Sequence, residues 1–389
     1  MTGSSLAPPG TLAPSAPEPK LGRLPAFDVL RAGAATLVFL YHYAGFAHPQ
    51  STGAVTIEFV DWLATRLGSI GTNLLLLLSG FFMAQSLASR RFTYRQFVSL
   101  RLVRIYVPYL IVLLAAVVFA HLRPGFSRAD VSGLTLSSFL PHLVLFPGLF
   151  PAQPVLTVTW TLSFIVAGYL LFPLIDFALH RGNVQRPGRL VAWAALTALC
   201  FAAGLFGGMA SIRFSYVPAG CLVYELQART NWERARSGTL RALLAVAALY
   251  LVLRVLLDGN LLGTAWHPLV RRAAFSVNGL VLTSTLVAIA LIVQRRYRPA
   301  RRNRLLHYVA GFGRTGYSFY LLHGPVVKLF ALLVFPPLVA LHAPASVYWL
   351  LMPICWLLAA AGALILYRAV ERPCRRLLMR SLGGSSVRA

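Results

Sequence analysis

The chain has 389 residues, of which 58% are hydrophobic and only 12% are charged, and its mean hydropathy is +0.69. Soluble domains are close to half apolar and about a quarter charged. A soluble protein is therefore excluded, and the excess apolar surface is expected to face lipid. The net charge of +26 does not indicate nucleic-acid binding, because the basic residues recur in short clusters between apolar runs, as in cytoplasmic loops of membrane proteins.

The N-terminal segment, residues 1–22, is rich in Pro, Ser, Gly and Ala and has no apolar run. This composition predicts a disordered tail. A signal peptide is not expected, since Lys20 and Arg23 come late and the apolar run that follows them is long. That run is predicted to be the first membrane helix.

A membrane-spanning helix needs about 20 mostly apolar residues. That criterion predicts an all-α, polytopic membrane helix bundle with about ten transmembrane helices, near residues 27–47, 69–88, 103–121, 156–178, 189–207, 212–228, 240–257, 273–294, 316–337 and 347–369. The apolar segment 134–150 contains two prolines and a histidine. It is predicted to be re-entrant or interfacial and not an eleventh span.

The basic residues sort by loop. Alternate loops and the two terminal segments together carry 26 of the 36 Lys and Arg residues, whereas the intervening loops carry six. By the positive-inside rule, this predicts that both termini are cytoplasmic. Every loop is too short for a soluble domain, so any chemistry is expected within the bundle. The cysteines and histidines lack metal-ligand spacing, and no bound metal is predicted.

Ionisable residues inside a membrane are candidates for function. In the first span, Arg31 and His42 are eleven positions apart, which places them on one stripe of a helix and about 16 Å apart along its axis. They could face one interior cavity. Alternatively, Arg31 snorkels and pairs with Asp28, and His42 is a hydrogen-bonded packing residue.

Two further clusters contain polar residues. Arg101 and Arg104 open the third span, either as ordinary flanking charges or as a pair that binds phosphate. Tyr317, Tyr320 and His323 are three residues apart and share a helix face. Polar aromatic residues on a lipid-facing helix normally belong to interface belts. Glu371, near the end of the last span, could pair with a neighbouring arginine.

In this order the motifs resemble those of the bacterial membrane-bound acyltransferase-3 family, which includes O-acetyltransferases of surface polysaccharides. FDVLRAGAATLVFLYH resembles its first-span motif, FVSLRLVRIYVPYL its Arg-x-x-Arg pattern, and YRAVERP its terminal Glu-x-Pro ending. GTNLLLLLSGFFMAQSL, TWTLSFIVAGYLLFPLI and GRTGYSFYLLHGPV resemble three further blocks. Those three blocks supply the other candidate substrate-site or structural residues, which are Ser79, Trp160, Ser163, Tyr169 and Ser318.

The resemblance implies a transmembrane acyltransferase domain over residues 23–373, followed by a basic cytoplasmic tail, 374–389. It implies transfer of an acyl group, commonly acetyl, from acyl-CoA as co-substrate to a hydroxyl of a carbohydrate or glycolipid, in the bacterial inner membrane and without a bound cofactor. His42 would be the general base, and the cations Arg31, Arg101 and Arg104 would bind the donor.

The sequence departs from the family pattern at one position. The fourth-span block usually continues with a glutamate where this chain has Ile165. A catalytically inactive family member is therefore one alternative. A transporter, with the buried Arg and His along a solute path, is the other, although no inverted repeat is visible in the sequence.

Overall fold

A computed structural model describes residues 25–47, 55–89, 93–122, 136–145, 155–156, 158–207, 209–227, 237–258, 268–297 and 304–382. Within these ranges the regular secondary structure is entirely helical, without a strand. Helices satisfy all their backbone hydrogen bonds internally, which a chain must do to cross lipid. The predicted all-α, polytopic architecture is confirmed. The predicted disordered tail, 1–22, lies outside the described residues.

The helices are numbered here in chain order, with a π-helical segment, Tyr367–Glu371, between the last two. They are α1 Pro25–Ala47, α2 Val55–Ala88, α3 Tyr94–Leu122, α4 Leu136–Leu143, α5 Thr159–Arg181, α6 Arg186–Gly207, α7 Met209–Arg213, α8 Tyr216–Gln227, α9 Ser237–Asp258, α10 Pro268–Tyr297, α11 Arg304–Arg314, α12 Gly316–Leu333, α13 Phe335–Ala340, α14 Ala345–Leu350, α15 Met352–Leu366 and α16 Arg372–Leu382.

Seven helical segments among the described residues are long and apolar enough to cross a membrane, and each matches a predicted span. The other three predicted spans fall on α1, α8 and α9. The predicted span 212–228 is not one continuous helix, because the chain turns at residues 214–215 between α7 and α8. With 12 residues, α8 rises only about 18 Å, so α8 by itself is too short to cross. The count of ten spans stays a prediction.

Two segments differ in form from the spans. Within the segment 134–150, α4 has only eight residues, which is too short to cross a membrane and agrees with the expectation that this segment is not a span. The predicted basic tail begins as helix: α16 extends through Leu382. The residues after it lie outside the described ranges.

Close backbone contacts hold α2 against α8. A Cβ atom on Gly80 would lie 1.8 Å from the carbonyl oxygen of Val217, and one on Gly220 would lie 2.0 Å from that of Leu77. Only glycine fits either position. Small residues allow such contacts in membranes, where van der Waals packing drives helix association.

Helix α1 lies between two parts of the core. On one side, Phe27 stacks on Phe81 of α2 with ring centroids 5.0 Å apart. On the other, Phe39 and Tyr43 join an aromatic cluster with α12 and the segments after it, and the Tyr43 hydroxyl donates to the Tyr348 carbonyl. Helix α1 is therefore held in position by packing on both sides.

Candidate active site

A cavity of about 130 Å³ lies within the bundle, beside α1. Five helices surround it: α1, α2, α3, α5 and α12, with the end of α11. Its lining residues are Arg31, Leu75, Leu78, Ser79, Phe82, Arg101, Arg104, Ile105, Thr161, Leu162, Ile165, Tyr169, Gly313, Gly316, Tyr317 and Tyr320.

Arg31 is held at this cavity by two contacts. Its Nη1 donates to Asp28 Oδ1 at 2.8 Å, and its guanidinium lies 3.9 Å from the centroid of the Phe82 ring. The pair with Asp28, one alternative from the sequence, is thus present. It leaves Arg31 on the cavity wall, so the pairing and a role in binding are compatible.

Arg101 is anchored to α2 and enclosed by rings. Its Nη2 donates to the Phe82 carbonyl at 3.1 Å and to Ser86 Oγ at 2.7 Å. The guanidinium lies 5.2 Å from the ring centroid of Phe97 and 5.3 Å from that of Tyr169. These contacts orient Arg101 inward, unlike a flanking charge that extends into solvent.

Arg104 pairs with the glutamate of the terminal motif. Its Nε donates to Glu371 Oε1 at 3.0 Å, and the Ser318 hydroxyl donates to the other carboxylate oxygen at 2.8 Å. Glu371 is only 2% exposed and lies in the π-helical segment, a distortion often found at functional sites. Glu371 thereby links α3 and α12 to the π-helical segment that follows α15.

The charges that line the cavity are all of one sign. Three arginines and no carboxylate line it among the described residues, while Asp28 and Glu371 sit behind Arg31 and Arg104. Charges inside a low-dielectric bundle interact strongly. The cavity is therefore suited to bind an anionic group.

Other predicted residues line the same cavity. The hydroxyl of Tyr317 donates to the Ile105 carbonyl at 2.6 Å, and that of Ser79 to the Leu75 carbonyl at 2.9 Å. Gly313 sits where α11 meets α1, and a Cβ there would lie 1.8 Å from the Asp28 carbonyl oxygen. The glycine of this motif thus permits the close contact between α11 and α1 beside Arg31.

The two predicted histidines lie next to each other. The ring centroids of His42 and His323 are 5.2 Å apart, and His323 is fully buried against Tyr320 at 5.6 Å. Tyr320 hydrogen-bonds Thr161 and lines the cavity. An array of polar side chains therefore runs from the cavity through Tyr320 and His323 to His42, which does not itself line the cavity.

Two predicted residues of α5 point elsewhere. Trp160 lies 5.1 Å from the guanidinium of Arg213 and makes an edge contact with Phe164. Ser163 is fully buried and donates to the Thr159 carbonyl at 3.2 Å. By contrast Ile165, at the position where a glutamate was expected, is part of the cavity wall.

Comparison with known proteins matches residues 24–368 to a family model described as an acyltransferase domain. The chain belongs to the acyltransferase-3 family. It is also 28% identical to acyltransferase MdmB of Streptomyces mycarofaciens over 392 residues, which cover 93% of this chain and 94% of the relative. No solved structure matches. The protein is therefore a multi-pass membrane acyltransferase.

Within this acyltransferase domain, the structure brings together residues that are far apart in sequence. The three arginines, Ser79, Tyr169, Tyr317 and Tyr320 share one cavity, Ser318 and Glu371 support it, and His42 and His323 lie beyond Tyr320. Thr161 was missed, although it lies inside a motif that the sequence singled out. The arginines of α16 were also missed as a group, although their regular spacing was a visible signal.

Proposed function

We propose that this acyltransferase moves an acyl group, commonly acetyl, from acyl-CoA to a hydroxyl of a carbohydrate or glycolipid in the bacterial inner membrane. One observation carries the proposal: three arginines converge on a cavity within the helix bundle that has no lining carboxylate among the described residues. CoA is a polyanion with a narrow thioester-bearing arm, and arginine is well suited to phosphate. A carbohydrate or glycolipid hydroxyl is the acceptor class that the resemblance implies.

In this mechanism His42 is the general base. Its imidazole takes the proton of the acceptor hydroxyl while the oxygen attacks the thioester carbonyl carbon. The C–S bond then breaks, the CoA thiolate leaves, and the proton passes to that sulfur, which gives the ester and CoA thiol. General base catalysis of this kind typically contributes about 10²–10⁴-fold in rate.

We assign His323 a positioning role. Its Nδ1 lies 3.2 Å from the Phe319 carbonyl oxygen, which favours the tautomer with the proton on Nδ1. Its Nε2 has no hydrogen-bond partner in the part of the chain that the structure describes. The fixed ring lies against His42 and limits the orientations that the His42 imidazole adopts.

The two alternatives from the sequence are less well supported. Membership of an acyltransferase family favours an enzyme over a transporter. At Ile165 the cavity wall lacks the carboxylate that the family pattern has at this position, but all three arginines and both histidines are present. An active enzyme with an altered cavity is therefore the better account of that substitution.

Release of CoA thiol tests the proposal. Purified protein in nanodiscs is mixed with acetyl-CoA and a panel of glycan and glycolipid acceptors, and free thiol is followed over time. Acceptor-dependent thiol release, with a matching acetylated product by mass spectrometry, is the expected result. Thiol release at the rate of empty nanodiscs with every acceptor would contradict the proposal.

A further inference from the structure

A second space, a vestibule of about 980 Å³, adjoins the cavity. Arg31, Arg104 and Gly313 line both spaces, so the two are neighbours that share a wall. The vestibule is much larger than the cavity. Its remaining lining residues are Asp28, Arg314, Tyr367, Glu371, Arg372, Arg375, Arg376, Met379 and Arg380.

Helix α16 forms one wall of this vestibule through a single face. The residues of α16 that line it are Arg372, Arg375, Arg376, Met379 and Arg380, at positions i, i+3, i+4, i+7 and i+8. This spacing is that of one helical stripe. Four arginines therefore project into a shared space.

Ordinary flanking charge does not account for this stripe. Leu377 of the same helix does not line the vestibule and is 64% exposed, so α16 turns this apolar residue away from the vestibule and its basic face toward it. Arg368, one turn before α16, is exposed and lines neither space. An arginine that served only as a cytoplasmic flanking charge would, like Arg368, line neither space.

The positive charge of the vestibule is not neutralised by its own carboxylates. Asp28 pairs with Arg31, and Glu371 pairs with Arg104. Arg314 and the four arginines of α16 have no carboxylate partner among the described residues. Five guanidinium groups around one space repel one another unless an anion of several charges lies between them.

We propose that this vestibule binds the 3′-phosphoadenosine diphosphate portion of CoA, with its phosphates on the α16 arginines. The inference rests on the proposed function and deepens it. With the nucleotide in the vestibule, the arm that carries the thioester enters the adjoining cavity past Arg31 and Arg104. Tyr367 and Met379 supply non-polar surface for the adenine ring. Helix α16 is then a wall of the donor site and not a tail.

Nucleotide binding tests this assignment without requiring catalysis. The probe is adenosine 3′,5′-bisphosphate, titrated by calorimetry into the full-length protein in phosphatidylcholine nanodiscs. Replacing Arg372, Arg375, Arg376 and Arg380 together by Gln should raise the dissociation constant at least about tenfold, since charge-assisted hydrogen bonds are lost. Single variants R375Q and R376Q should show smaller increases, and the matched variant R368Q should bind as the wild type does. These side chains are exposed, so monodisperse elution is expected for all variants.

The outcomes separate the inference from the proposed function. Equal affinity in the quadruple variant and R368Q would overturn the inference. The inference would also be overturned if the probe does not bind the wild-type protein in phosphatidylcholine, but phosphatidylglycerol vesicles bind in a way that depends on the same arginines. That result would assign these arginines to lipid headgroups. If the quadruple variant loses affinity for the probe but the wild-type protein never releases CoA thiol, nucleotide binding in the vestibule is supported and acyl transfer is rejected. If the quadruple variant is active and its KM for acetyl-CoA is unchanged, acyl transfer is supported and nucleotide binding in the vestibule is rejected.

Discussion

Arg104 of α3 and Glu371 of the π-helical segment form an ion pair, 3.0 Å from Nε to Oε1, across 267 positions of sequence. Ser318 binds the other carboxylate oxygen, so the buried carboxylate is satisfied on both sides. The pair places Arg104 at the boundary that the cavity and the vestibule share. Glu371, at the end of the last span, thereby fixes the side chain of Arg104 in the third span.

Replacing Glu371 by Gln should loosen this connection. The variant keeps the side-chain size but removes the charge, which leaves Arg104 without its partner, and about 1–3 kcal/mol of stability should be lost. The midpoint of thermal unfolding in detergent should fall, and KM for acetyl-CoA should rise. E371D is the control for charge. An unchanged midpoint together with an unchanged KM would contradict the role of this pair.

Much of the fold is predictable from the sequence because apolar length and loop charge are local signals. The seven segments long enough to cross a membrane all coincide with predicted spans. The break between α7 and α8 is not visible in this way, since residues 212–228 are mostly apolar on both sides of it.

The site is predictable only in part, for a similar reason. Spacing placed Arg31 and His42 on one stripe of α1, and in the structure they lie beside Gly316 and His323 of α12, respectively. Spacing within one helix says nothing about a partner on another. The contact between His42 and His323, and the position of the basic face of α16 along the vestibule, depend on how distant segments pack.

Arg101 provides a test of donor binding. Its replacement by Gln should weaken acetyl-CoA binding by about tenfold or more, because a charge-assisted hydrogen bond from the cavity wall to the thioester-bearing arm is lost, while the fold changes little. The matched control is R95Q, an exposed arginine near the start of the same helix. Calorimetry gives both affinities. Equal affinities for R101Q and R95Q would return Arg101 to the class of flanking charges.

Ile165 should influence which acyl group is accepted. It lies on the cavity wall near Leu75, Leu78 and Leu162, and shortening it to Ala enlarges the space. Each added methylene is worth about 1–3 kcal/mol in a hydrophobic pocket, so I165A should shift preference from acetyl-CoA toward propionyl-CoA and butyryl-CoA. Relative kcat/KM values measure the shift. L199A, at an exposed site on α6, should leave the preference unchanged, and the same ratio in both variants would show that Ile165 does not select the acyl group.

Reporter fusions test the predicted sidedness. The sorting of basic residues places residue 389 in the cytoplasm and the connection 338–346 on the opposite side. A phosphatase fusion should be active after His342 and inactive at residue 389, with the reverse for a cytoplasmic reporter. Equal sidedness at both positions would refute the predicted arrangement of spans.

His42 is the residue on which the mechanism depends. It lies in an apolar helix, beside His323 and about 16 Å along the helix axis from Arg31. If it is the general base, H42A should lose about 10²–10⁴-fold in transfer rate and keep its detergent stability. If it only packs, H42A should be less stable and retain activity per folded molecule. H323A should retain more activity than H42A, because His323 acts through the orientation of His42.

The most direct measurement is the rate of acetyl transfer by H42A, normalised to monodisperse protein and compared with wild type under saturating acetyl-CoA. We expect a loss of at least about 10²-fold with an unchanged elution profile and unchanged acetyl-CoA affinity. Near wild-type transfer by H42A would contradict it and remove His42 from the mechanism.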